Sequence, residues 1–190
     1  MAAPTASGPP SRARLRAAVA DLATCWLWLG ALAGLSRLPL LRRTGYRALF
    51  TDPATADLAQ FGTAVLPVWA YLTAGEAGRR QAAWGKRSAG LVVTGLDGQP
   101  AGRARIAVRS AVKLLPWQLA HLALGRLVGP GRRRPRLAAA GFGAALGLAG
   151  ASVGLAVVRP DGRALHDLVA GTQVRDFASG GRAVGCDLTA

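Results

Sequence analysis

Acidic side chains are scarce in this chain, with 9 Asp and Glu against 24 Lys and Arg in 190 residues and a net charge of +15. Charge of both signs is thin, at 17% of residues, where ordinary soluble domains carry about 25%. There are two cysteines, Cys25 and Cys186, too few for a disulfide framework or a cysteine metal site. With two histidines, His121 and His166, little remains to ligate a metal or a haem. The glycine-rich loop that ends in Gly-Lys-Ser/Thr is missing, as are His-Glu-x-x-His and Gly-x-Ser-x-Gly. The sequence therefore predicts no enzyme, no catalytic residue, no bound metal and no cofactor.

Hydrophobic residues make up 51% of the chain. Mean hydropathy is only +0.26, because Ala and Gly fill the apolar runs in place of Leu and Ile. The basic residues fall between those runs. A soluble protein with this balance would suggest nucleic acid. Basic residues flanking apolar runs instead indicate topology signals and anionic lipid headgroups, and no RNA-reading aromatic motif is present. The expected partners are the lipid bilayer, its anionic headgroups, and either a second copy of the chain or another membrane protein, with no nucleic acid.

The fold expected is an all-α membrane protein, a helical bundle of about four membrane segments with a small cytoplasmic β element. Residues 1–11 are rich in Ala, Pro, Ser and Gly and read as a disordered tail. A transmembrane domain is drawn over 12–178, and 179–190 as a C-terminal tail. The first segment, about 17–36, is twenty residues with one charge, Asp21. That length crosses a hydrocarbon core of about 30 Å. Arg12, Arg14 and Arg16 before it resemble the start of a secretory leader, but Asp21 inside the run and its full spanning length argue against cleavage.

The second segment, about 58–75, is uncharged and contains Pro67, which membrane helices tolerate. Trp69 and Tyr71 stand toward its end, where an aromatic belt belongs. Residues 76–109 are polar. Within them Leu91-Val92-Val93-Thr94 predicts a strand and Asp97-Gly98 a turn. A third segment, about 105–127, carries Arg105, Arg109 and Lys113 at helical spacing as one basic stripe. Its uncharged part is short, so it either crosses or re-enters. The fourth, about 137–158, is 22 uncharged residues with Gly143, Gly147, Gly150 and Gly154 at small-residue spacing. Thr172-Gln173-Val174 predicts a second short strand. Four segments put both strands on one aqueous side, where they can pair. The bias of basic residues then favours a cytoplasmic N-terminus in the plasma or inner membrane.

Three pieces carry a resemblance. The first is Arg14-Leu-Arg-Ala-Ala-Val-Ala-Asp21. The second is Gly85-Lys86-Arg87-Ser-Ala-Gly90, followed by Asp97-Gly98. The third is His166-Asp167-Leu-Val-Ala170-Gly171-Thr172. Together, in this order and between apolar runs, they resemble the RDD family of membrane proteins, over about residues 12–175. The resemblance implies that Arg14 and Asp21 are the family's arginine and first aspartate, and Asp167 its second. A threonine is common two residues before the family's Gly-Lys; here Ala83 stands there. The resemblance implies a membrane protein and supplies no mechanism.

Arg14 and Asp21 are two helical turns apart, about 10 Å along the axis, on one face. Arg14 is expected to snorkel to the headgroups. Asp21 cannot, and a bare aspartate at a helix centre costs about 2.5–3.5 kcal/mol on insertion scales. It must pair, protonate or meet a wet cavity. Candidate partners are Arg14 of a neighbouring copy, Arg109, Lys113 or His121. Gln118 and His121 share a face and read as a polar pair between helices. Asp167 reads as a cap, or as a salt bridge to the Gly85-Lys86-Arg87 segment rather than a proton-transfer partner of His166. Two functions follow. In the first, Asp21 is a buried pair that fixes helix packing, and the chain is a non-enzymatic assembly or modulatory component. In the second, Asp21 is the titrating group of an oligomeric proton- or cation-coupled transporter.

Overall fold

A computed structural model describes residues 11–39, 52–128 and 134–177. The tail expected at 179–190, Arg42, Arg43, Arg47 and the loop residues 129–133 lie outside these residues. So does the N-terminal tail, apart from Ser11, with which the first helix already begins. The elements in chain order are α1 (Ser11–Leu35), α2 (Pro53–Gln60), a π-helical turn (Phe61–Val65), α3 (Leu66–Ala77), α4 (Trp84–Ser88), β1 (Leu91–Gly95), α5 (Arg103–Val128), α6 (Pro135–Val158), α7 (Leu165–Ala170) and β2 (Thr172–Asp176).

All four apolar runs are helical. Two helices, Arg12–Leu35 and Pro135–Val158, are long and apolar enough to cross a membrane. Their outward faces carry large apolar side chains: Leu15, Val19, Trp26 and Leu27 on α1, and Leu146, Val153, Val157 and Val158 on α6. A water-soluble chain rarely leaves such faces uncovered. Lipid would satisfy such faces, because a helix closes its own backbone hydrogen bonds and its apolar side chains need no water.

The described residues divide between two compact units, one from 1–22, 71–113 and 151–190, the other from 23–70 and 114–150. In the second, the run at 58–75 is interrupted. Asp52 caps α2 by accepting from the Ala54 and Thr55 amides at 3.0 and 2.9 Å, and Pro53 opens it where an amide hydrogen is dispensable. Pro67 then follows a π-helical turn. In an α register Pro67 would be the donor for the Thr63 carbonyl, and proline has no N–H to give. The Trp28 indole N–H supplies the bond instead, at 2.9 Å. A neighbouring side chain thus takes over the orphaned carbonyl.

Small residues allow close approach in the same unit, at a place other than the one expected. A Cβ at Gly141 would lie 2.9 Å from the Ala123 Cβ, whereas Cβ atoms at Gly143, Gly147, Gly150 and Gly154 would meet nothing within 4 Å. The glycines at four-residue spacing thus stand open, and the tight contact lies on the opposite face of α6.

In the first unit the two strands predicted from Leu91 and Thr172 pair antiparallel, with Leu91 opposite Asp176 and Gly95 opposite Thr172. Gly98 turns at a φ of +81° after β1, at the Asp97-Gly98 turn signal. Ala17 of α1 packs with Leu91 and Val174 as a small apolar cluster. The sheet thereby anchors the first turns of α1.

Candidate functional site

The polar centre of the first unit is assembled from five pieces of chain. Asp21 lies two turns into α1. Glu76 is near the end of α3. Lys86 comes from the single turn of α4, Arg109 and Lys113 from consecutive turns of α5, and Asp167 from α7. All but Lys113 are buried, with Glu76 and Arg109 each 1% exposed.

They form one alternating chain of charge. Lys113 Nζ and Lys86 Nζ each lie 3.4 Å from Asp21 Oδ2. Lys86 Nζ also reaches Glu76 Oε1 at 2.6 Å. The other Glu76 oxygen pairs with Arg109 Nη1. Arg109 Nε meets Asp167 Oδ1 at 3.0 Å. Three cations thus alternate with three carboxylates, and every link is a complementary pair. This arrangement offsets the large cost of removing each ion from water, which a single unpaired charge would bear in full.

Backbone donors complete it. The Gly85 amide donates to Asp21 Oδ1 at 3.1 Å. A side chain at residue 85 would prevent this, since its Cβ would sit 2.5 Å from both the Ala17 carbonyl oxygen and Asp21 Oδ1. Glycine in the Gly85-Lys86 pair therefore lets α4 press its amide and its lysine onto the same carboxylate. Asp167 also accepts from Thr172 Oγ1 at 3.1 Å and from the Ala164 amide at 3.3 Å. Gly171 ends α7 at a φ of +64°, a left-handed turn that glycine adopts without strain. That turn brings Thr172 back onto Asp167. Burial raises the Asp167 carboxyl, but Arg109 and His166 outweigh it and hold the group below its usual range. His166 is pushed down to about 3, first by burial and then by Arg109, so it is neutral at pH 7.

Several expectations change here. Asp21 does pair with Lys113, but its second cation is Lys86, and Arg109 serves Glu76 and Asp167 instead. Asp167 caps α7 as expected, yet its salt bridge goes to Arg109 and not to the Gly85-Lys86-Arg87 segment; Arg87 is exposed. His166 Nε2 lies 3.6 Å from Asp167 Oδ2, so these chain neighbours do face one another, contrary to the expectation for adjacent residues. Arg14 does not snorkel outward. Its Nη1 donates to the Gly162 carbonyl oxygen. The basic stripe of α5 is uneven, with Arg105 exposed, Arg109 buried and Lys113 between them.

Gln118 and His121 do not form the polar pair expected of them. His121 Nδ1 is 2.9 Å from the Trp117 carbonyl oxygen, with its ring against the Trp117 ring. Gln118 Oε1 is buried without a hydrogen-bond partner among the described residues. Both belong to the second unit. Gly90, at a φ of +69°, turns the chain from α4 into β1, and Ala170 is buried beside Asp167.

Glu76 is the residue that sequence reading missed. It follows the uncharged run 58–75 directly and reads as the first residue of a polar connection. Its spacing of ten from Lys86 and thirty-three from Arg109 has no local signature. Asp57 was missed for the same reason. It makes a two-pronged bond with Arg126 at 3.0 and 2.7 Å in the second unit.

A family model described as the RDD family matches residues 9–171. No curated protein and no solved structure matches the chain. The matched stretch contains every member of the alternating charge chain.

Proposed function

Because the chain belongs to the RDD family, we propose that it is a multi-pass protein of four membrane segments that works without catalysis, as a component that assembles in the bilayer with itself or with another membrane protein. Family membership and the two long apolar helices point to a membrane protein. The observation that carries the assembly reading is the bareness of α6. Of its 24 residues only Ala138 and Ala145 are buried, and its row of Gly143, Gly147, Gly150 and Gly154 meets nothing. Such a face lets a second helix approach closely and gain packing that lipid does not supply. The charge chain then serves as an internal clamp, since every one of its ions is already matched.

Oligomeric state in lipid nanodiscs tests this. Gly147→Leu adds bulk where no described residue stands within 4 Å of the new Cβ, so the monomer should keep its thermal stability while the assembly dissociates. A wild-type chain that stays monomeric at every protein-to-lipid ratio contradicts the reading. Reporter fusions after Arg43, Gln99, Arg134 and Ala178 test the four-segment arrangement and the cytoplasmic N-terminus.

Transport of protons or cations through Asp21 is the second reading. Its support is a cavity of about 190 Å³ that Asp21 helps to line. Two lysine ammoniums already hold that carboxylate, which leaves it poorly placed to receive another cation. Ion flux in liposomes that is lost in Asp21→Asn, and kept in Ala145→Ser, would favour transport over the clamp.

A further inference from the structure

We propose that the cavity beside the first turns of α1 is an anion site that takes a phosphate-type group, with Arg14 as its principal ligand and Lys113 as its second. The group could belong to a phospholipid headgroup or to free phosphate; the recognition chemistry is the same. The inference does not depend on assembly through α6.

The cavity is about 190 Å³ and is lined by Arg14, Asp21, Lys86, Arg109, Lys113 and Asp167, with Ala and Val side chains between them. Three of those cations are matched by Asp21, Asp167 and, behind the lining, Glu76. Arg14 is the cation left over. It makes no ion pair among the described residues. Of the carboxylates whose charge acts on it, Asp167 is committed to Arg109 and Thr172, and Asp161 to Arg159 at 2.9 Å.

Geometry then says where an anion would bind. Arg14 uses Nη1 on the Gly162 carbonyl. Its Nε and Nη2 are both buried and have no hydrogen-bond partner among the described residues. Those two nitrogens form one edge of the guanidinium, the pair of parallel donors that matches two oxygens of a carboxylate or phosphate. Buried donors left unmade are costly, and an oxyanion on this edge would satisfy both. Lys113 Nζ has three donors and one bond, to Asp21, and its side chain is 27% exposed. It is the cation of the chain with capacity to spare. His166, also on the lining, is neutral and adds a polar group without adding a competing charge. The cavity is several times the roughly 30 Å³ that a water molecule occupies in the liquid, so a tetrahedral anion fits with water beside it.

The test uses the full-length protein, stripped of lipid in an uncharged detergent. Thermal unfolding is followed while sodium phosphate is added in one arm and short-chain phosphatidylglycerol in another, with sodium chloride at matched ionic strength and short-chain phosphatidylcholine in two further arms. A saturable stabilisation by phosphate or by either phospholipid beyond the chloride arm is expected. Arg14→Gln should weaken that binding by at least about tenfold, the loss of charge-assisted bonds. Arg105→Gln, an exposed residue of α5 outside the cavity lining, should bind as wild type. A response to free phosphate assigns a soluble anion, and a response to phospholipid alone assigns a headgroup. If no phosphate-bearing arm saturates, or if Arg14→Gln binds as tightly as wild type, the site is not there. Should Arg14→Gln fail to fold, Lys113→Gln takes its place, and the wild-type titrations can still overturn the proposal by themselves.

Discussion

Arg109 and Arg126 stand on one helix, α5, and each answers an aspartate far away in the sequence. Arg109 is 1% exposed and is held between Glu76 and Asp167. Arg126 reaches Asp57 in a two-pronged pair whose side chains are 27% and 26% exposed. The first arginine cannot lose a partner without stranding a charge that water cannot reach. The second can fall back on solvent. The same contrast separates the two units. One holds an alternating chain of six ions, five of them buried, while the other is held by apolar packing, by Gly141 against Ala123 and by the Trp28 bond to the carbonyl that Pro67 leaves unpaired. Burial, rather than the number of ionic contacts, decides which pairs hold the fold.

The sharpest break of this contrast is Arg109→Gln. It takes the arginine from Asp167 and leaves Glu76 with Lys86 alone, and removing one partner of a buried pair costs about 3–5 kcal/mol. Little folded protein should survive detergent extraction, as judged by size-exclusion chromatography. Gly85→Ala comes next. Its methyl group would force Asp21 or the α1 backbone to move, with a cost of about 1–3 kcal/mol, read as a lower thermal midpoint. Ala82→Gly in the same connection provides a comparison without added bulk.

A third effect is one of pH. His166 has a folded pKa of about 3, well below the ordinary histidine value. Between the two values the unfolded chain binds more protons than the folded one. Stability is therefore complete above roughly pH 6.5 and falls as the pH drops toward 3. His166→Gln should flatten that decline between pH 6.5 and 4 in thermal unfolding. Asp167, whose pKa is also lowered, loses its contribution only at lower pH, as its carboxylate protonates. The smallest change is expected at Arg126→Gln, which should cost no more than about 1 kcal/mol and should shrink further in high salt.

Much of this architecture is legible in the sequence. Apolar run length places α1 and α6, and the Leu91 and Thr172 stretches announce the two strands and their pairing. Arg14, Asp21, Lys86 and Asp167 are marked by the family resemblance, and three of them enter the charge chain. Glu76 was not legible, because hydropathy averages along a chain and does not report the face on which a residue sits. The partners of Asp21 were half legible. Lys113 lies on a visible basic stripe, but Lys86 reaches Asp21 only because Gly85 permits the approach, and that is a property of the folded backbone. The row of glycines on α6 stands at the spacing of close helix contact, yet among the described residues the close contact falls at Gly141.

The central claim is that the six charges act as one connected unit. A double-mutant cycle on Glu76→Gln and Arg109→Gln, followed by thermal unfolding in detergent with the more conservative Arg109→Lys as a fallback, tests it most directly. The connected chain predicts a double variant no less stable than the worse single one, with a coupling of about 1–3 kcal/mol. Losses that simply add, with no coupling between the two positions, would contradict it.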